Sequence, residues 1–172
     1  AGLHLTEDVL ERCRAAGAGI ARIELSVGLG TFRPITADDV TRHRVHRERY
    51  RVPEATMAAC AGAERVVAIG TTTLRALESA AATGELEGAT DLYVRRGHRF
   101  AVVGALLTNF HVPRSSLLVL VDAFVGPRWR ALYADALAEG YRFLSFGDAL
   151  FLPGPPLGGV GGSAGAGEVG GP

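Results

Sequence analysis

The sequence predicts an α/β fold with a layered α/β/α core around a mostly parallel sheet. Three observations carry that prediction. Segments with the two-residue period of strands alternate along the chain with segments of helical period. Residues 65–69 are a short apolar run of the kind buried in a parallel sheet, and they feed through Gly70 into a helix. The chain has 172 residues, 48% of them hydrophobic and 21% charged, enough for one ordinary domain with a real core.

Thr6 ahead of Glu7 and Asp8 marks the first helix start, with Val9, Leu10, Cys13 and Ala16 as its buried stripe and Gly17 as its end. Residues 22–27 alternate as a strand, with Ile23, Leu25 and Val27 on one face, until the run 28–34 breaks it. Thr36 with Asp39 has the spacing of a capping box opening a short polar helix. After the strand at 65–69, Gly70-Thr71-Thr72-Thr73 opens a helix carrying Leu74, Leu77 and Ala81. Residues 91–94 and 100–107 are further strands, and 115–125 is a nearly all-apolar, buried helix. Another helix runs over 127–139 to Gly140, and a last strand over 141–146 leads into Gly147-Asp148. The domain is thus expected over residues 1–152, with 153–172 a Gly/Pro-rich flexible tail.

Net charge is +0, which argues against indiscriminate nucleic-acid binding but allows a local basic patch. All 18 basic residues are arginine, so Schiff-base and lysine-base chemistry are closed and bidentate phosphate or carboxylate contacts are open. Genome composition accounts for the arginine bias equally well. Cys13 and Cys60 fall at apolar helix positions as buried thiols, which makes a reducing cytoplasm the expected setting. No apolar run approaches the ~20 residues of a membrane span. The chain opens at Ala1 rather than Met, as expected of a fragment or processed chain.

Four places could carry chemistry. In 106–116 an apolar strand runs into Thr108, Asn109 and His111, so a hydroxyl, an amide and an imidazole meet where a strand stops and a helix starts. The plain alternative is a turn shaped by Asn109 beside a satisfied, half-buried His111. The Gly70–Thr72 turn suits an anion such as a methionine carboxylate or a phosphate, or is simple capping. His43, His46 and Glu48 lie among arginines 42, 44, 47, 49 and 51, as an acid/base pair beside a phosphate-binding patch or as a solvated charged run. No third ligand accompanies the histidines, so no metal is expected. Asp148 can take a proton, hold a ribose hydroxyl or cap a turn. A second basic cluster, Arg95-Arg96-Gly97-His98-Arg99, could touch a polyanion. A dinucleotide-binding oxidoreductase is disfavoured, because the glycine fingerprint and its acidic partner are missing.

Taken in order, a set of short motifs resembles the S-adenosylmethionine:tRNA ribosyltransferase-isomerase family of queuosine biosynthesis. They are Ala1-Gly2-Leu3-His4, the run Val27-Gly28-Leu29-Gly30-Thr31-Phe32-Arg33-Pro34, and His43 with His46-Arg47-Glu48. Gly70-Thr71-Thr72 follows with Arg75 and Leu77-Glu78-Ser79, then Thr108-Asn109-Phe110-His111 with Pro113 and Ser115. Ala123-Phe124, Tyr141-Arg142-Phe143 and Gly147-Asp148-Ala149 complete the set, which reaches about Leu152.

The resemblance implies transfer and isomerisation of the ribose of S-adenosylmethionine onto 7-aminomethyl-7-deazaguanine in a tRNA anticodon of the GUN type. Epoxyqueuosine-tRNA, adenine and methionine are the implied products. It implies S-adenosylmethionine as co-substrate and no further cofactor, no metal, no membrane, a monomer, and a cytoplasmic location. It also implies an N-terminal half, carrying an inserted β-barrel, that is absent here. His46 and Glu48 are the implied acid/base pair, His111 a second candidate, and Asp148 the partner of a ribose hydroxyl or the acceptor amine. The Gly70, Thr71 and Thr72 turn would take the methionine carboxylate, and Arg33 with Asn109 would position the substrates. His4, Gly28, Gly30, Thr31 and Arg75 complete the implied binding set. Two positions depart from the family: Ser26 stands where histidine is usual, and Gly104 where aspartate is expected. The alternative is a truncated or inactive relative acting as an RNA- or nucleotide-binding module.

Overall fold

The computed structural model of the chain describes residues 1–28, 35, 39–40, 43–145 and 147–154. Its helices are α1 (Glu7–Ala15), α2 (Glu54–Gly62), α3 (Thr71–Thr83), α4 (Ser116–Val125) and α5 (Trp129–Ala138). Its strands are β1 (Glu24–Ser26), β2 (Glu48–Arg51), β3 (Val67–Ile69), β4 (Glu87–Thr90), β5 (Ala105–Asn109) and β6 (Ala149–Pro153), and short 3-10 turns cover Gly2–His4 and Gly126–Arg128.

The helix starts follow their caps. Thr6 accepts from the Val9 N–H at α1, and the Ser115 hydroxyl accepts from the Leu118 N–H at α4 while donating to the Val112 carbonyl. The α1 stripe departs from expectation: Val9, Leu10 and Cys13 are only half-buried and Ala16 lies beyond the helix, exposed. Gly70 joins β3 to α3 at φ +90° and ψ 147°, a region open essentially to glycine. Its N–H extends the ladder by donating to the Leu107 carbonyl at 2.7 Å.

Two three-stranded sheets form, and they are not mostly parallel. The first, in the order β1-β2-β4, is antiparallel throughout, with Tyr50 opposite both Leu25 and Gly88. The second, β3-β5-β6, pairs β3 with β5 in parallel and β5 with β6 antiparallel, setting Leu106 between Ala68 and Leu152. Helix α3 packs on strands of both sheets, and Leu74, Leu77, Leu106, Leu120, Val121 and Leu152 lie in the shared core.

Strand positions shifted where side chains claimed the backbone. The start of the predicted strand 100–107 is not paired, because the N–H groups of Ala101, Val102 and Val103 all donate to the Glu78 carboxylate at 2.8–3.0 Å. Residues 141–145, the described part of the predicted strand 141–146, are not a strand: Tyr141 and Phe143 turn their rings onto Phe110 at 5.7 and 5.3 Å. The strand expected at 91–94 lies at Glu87–Thr90 instead. β2 hides in the charged run, with Glu48 and Tyr50 inward and Arg49 and Arg51 outward. Pro153 belongs to β6, and residues 155–172 lie outside the described residues, as does Thr36 of the expected capping box.

Candidate functional site

The carboxyl ends of β3 and β5 and the N-terminus of α3 open onto a cleft of about 180 Å³. Gly70, Thr71 and Thr72 form one wall, and Thr108, Asn109 and His111 the other. Ala1, Val27, Val112, Ser115, Leu117, Leu144 and Ser145 complete it.

The α3 wall is rich in donors. No side chain caps this thirteen-residue helix, and the hydroxyl of Thr73 is spent on the Ile69 carbonyl at 2.8 Å. Its first N–H groups and positive dipole end therefore face the cleft uncapped. Across from it, Asn109 is buried; its Oδ1 accepts from the Ala1 nitrogen at 2.7 Å, while Nδ2 has no hydrogen-bond partner among the described residues.

His111 is buried against two hydroxyls. Its Nε2 lies 2.9 Å from Thr108 Oγ1, and its backbone N–H donates to the Tyr133 phenol at 2.9 Å. Burial, with a smaller contribution from the positive Ala1 amino group, pushes the imidazole down to about 4. At neutral pH it is an uncharged hydrogen-bonding group.

Other expected residues lie elsewhere. Glu48 and Arg75 are paired and buried, with Arg75 Nη2 2.5 Å from Glu48 Oε2. Glu48 Oε1 also accepts from the Gly28 N–H at 3.3 Å, next to Val27 on the cleft. Arg75 Nε and Nη1 have no hydrogen-bond partner among the described residues. His46 is exposed and does not line the cleft. Asp148 braces a turn: its carboxylate accepts the Arg142 N–H at 2.8 Å and faces the Arg142 guanidinium at 3.5 Å. Those contacts, the backbone bond foremost, hold it below the usual carboxylate range. His4 Nε2 lies 2.9 Å from the Gly147 carbonyl, tying the first turn to the same loop. Gly30, Thr31 and Arg33 lie outside the described residues.

The site therefore gathers Gly70, Thr71, Thr72, Asn109 and His111, and leaves His4, Gly28, His46, Glu48, Arg75 and Asp148 off its walls. Tyr133 was not foreseeable, since α5 reaches His111 only through the fold. Among the described residues no group of three His, Cys, Asp or Glu side chains is placed to hold a metal ion, and no helix is long and apolar enough to cross a membrane.

Comparison with known proteins agrees with the motif resemblance. The profile of the family described as queuosine biosynthesis protein matches residues 1–152. The chain is 51% identical over 160 residues to an S-adenosylmethionine:tRNA ribosyltransferase-isomerase of Azoarcus sp., covering 88% of this chain and 46% of that protein. It is 52% identical over 155 residues to the protein of the same name from Rubrobacter xylanophilus, covering 90% and 46%. The crystal structure of an S-adenosylmethionine tRNA ribosyltransferase from Thermotoga maritima superposes with a TM-score of 0.71 at 37% identity, over 87% of this chain and 50% of that one. The chain thus spans about half the length of the curated relatives it matches.

Proposed function

Because the chain belongs to the queuosine biosynthesis protein family, we propose that it forms the cleft-bearing part of an S-adenosylmethionine:tRNA ribosyltransferase-isomerase. One observation carries the reading beyond family membership. The family motifs Gly70-Thr71-Thr72 and Thr108-Asn109-Phe110-His111 lie 38 residues apart, as counted from Gly70 to Thr108, yet converge on one donor-rich cleft.

In this proposal the uncapped α3 N-terminus and Asn109 Nδ2 receive the methionine carboxylate of S-adenosylmethionine. The sulfonium acidifies the sugar 5′ carbon, a base removes the proton there, and the freed electron pair breaks the bond between C4′ and the ring oxygen. That oxygen becomes a carbonyl at C1′ and expels adenine, which gains a proton. The amine of 7-aminomethyl-7-deazaguanine in the anticodon of a GUN-type tRNA attacks the opened sugar and gives up a proton. Epoxide closure then expels methionine, leaving epoxyqueuosine-tRNA. His46, which is exposed, and Glu48 are the proposed acid/base pair. His111, the second acid/base candidate, is held neutral by burial and is suited to a hydrogen bond rather than to work as an imidazolium. Asp148 can meet a ribose hydroxyl or the acceptor amine once it releases Arg142. Arg33 completes the proposed positioning set. The whole protein is proposed to act as a cytoplasmic monomer without metal.

A second reading, an RNA- or nucleotide-binding module without turnover, is favoured by the ion pairs that occupy both Glu48 and Asp148. One experiment separates the two: the chain is mixed with S-adenosylmethionine and tRNA carrying 7-aminomethyl-7-deazaguanine. Adenine release with a ribose-sized mass gain on the tRNA supports the enzyme. Binding of both ligands with no adenine supports the module.

A further inference from the structure

Away from the cleft, five exposed arginines occur in two short runs: Arg95, Arg96 and Arg99 in the turn before β5, and Arg128 and Arg130 where α4 gives way to α5. Asp122 clamps the runs together. Its carboxylate accepts from Arg96 Nε and Nη2 at 2.6 and 2.8 Å and from the indole N–H of Trp129 at 2.6 Å. The Arg130 guanidinium lies 4.8 Å over the ring of that same indole. Beneath the turn, His98 packs edge-on against Phe100, which packs on Phe124. Glu78 lies 3.6 Å from His98, but its oxygens are spent on the backbone of 101–103.

The result is a braced shelf: a half-buried indole with a guanidinium over it, clamped by Asp122 to Arg96, with the exposed Arg95, Arg99 and Arg128 beside the clamped residues in the chain. In a chain of net charge +0 this surplus is local. Asp122 lies five residues beyond Leu117 of the cleft wall, about 7.5 Å along α4, and none of the shelf residues lines the cleft.

We propose that this shelf binds the phosphate backbone of RNA, at a stretch remote from the nucleotide that enters the cleft. Planar guanidinium groups suit phosphate oxygens, with which they form paired, charge-assisted hydrogen bonds. That the RNA is tRNA rests on the function proposed above; the shelf's chemistry does not.

The test is tRNA binding by the chain between about 50 and about 300 mM salt, compared with Arg95→Glu/Arg99→Glu/Arg128→Glu. These three side chains avoid the Asp122 clamp. Expected are at least a tenfold loss of affinity and a log–log salt slope flatter by about 2, with a smaller loss for Arg95→Gln/Arg99→Gln/Arg128→Gln. Unchanged affinity and slope in both variants overturn the proposal, as does a wild-type chain that leaves tRNA unbound. Lost binding to phosphatidylserine vesicles with tRNA binding intact overturns it in favour of a membrane surface. S-adenosylmethionine binding is measured alongside. If the wild-type chain ignores S-adenosylmethionine while the variants lose tRNA, the cleft reading fails and the shelf stands.

Discussion

Arg75 of α3 holds Glu48 of β2 across 2.5 Å, with both side chains buried, and Glu48 in turn holds the Gly28 N–H. The pair fastens α3, which forms one wall of the cleft, to the antiparallel sheet. Breaking a buried ion pair by removing one partner costs about 3–5 kcal/mol. Arg75→Met is therefore expected to lower the urea midpoint sharply. Arg75→Met/Glu48→Gln should cost less than the sum of the two single changes. Additive losses in that cycle would show that the two charges are not coupled.

His111 gives the fold a pH dependence of known sign. Its folded pKa of about 4 lies below the ordinary 6.5 of histidine, so the unfolded chain binds more protons between those values. The stability it contributes is full above about 6.5 and falls as pH drops toward 4, by up to about 3 kcal/mol. Urea midpoints of the wild type and His111→Gln should converge over that window. A constant difference between them would refute the linkage.

Asn109 offers an unpaired amide nitrogen to the cleft. Asn109→Asp replaces that donor with a negative charge, and S-adenosylmethionine affinity should drop by about tenfold or more if a carboxylate sits there. Calorimetric titration reads this directly; undiminished binding would remove the residue from the subsite.

Gly70 separates backbone strain from crowding. A Cβ built there meets nothing within 4 Å, yet φ is +90°. Gly70→Ala should lose about 1–3 kcal/mol through conformation alone, visible as a lowered Tm.

His46 is exposed, so His46→Ala should leave the Tm unchanged. If it is an acid/base group, adenine release slows by ~100-fold or more. Equal rates in variant and wild type would take it out of the reaction.

The cleft was legible because its chemistry is contiguous: Gly70–Thr72 and Thr108–His111 each sit where a strand hands over to a helix, and such junctions show in local sequence. The pairing of Glu48 with Arg75 was not, since it joins residues 27 positions apart and Glu48 reads as one more member of a charged run. Sheet direction was equally hidden. The apolar 65–69 run does pair in parallel, but Leu150 and Leu152 return antiparallel, and nothing in an alternating pattern states direction. The run 141–146 has the aromatic content of a strand, but Tyr141 and Phe143 use their rings on Phe110 and Tyr133 instead.

Glu78 gathers three consecutive N–H groups just before β5, and it belongs to the same helix whose first turn faces Asn109 across the cleft. α3 thus acts as a gauge block, fixing where the opposite strand begins and supplying the wall it must meet. One residue inserted between Val103 and Asn109 would slide the amide about 3.3 Å and turn it to the other face of the sheet. The interval from 103 to 109 therefore has a fixed length, whatever side chains fill it.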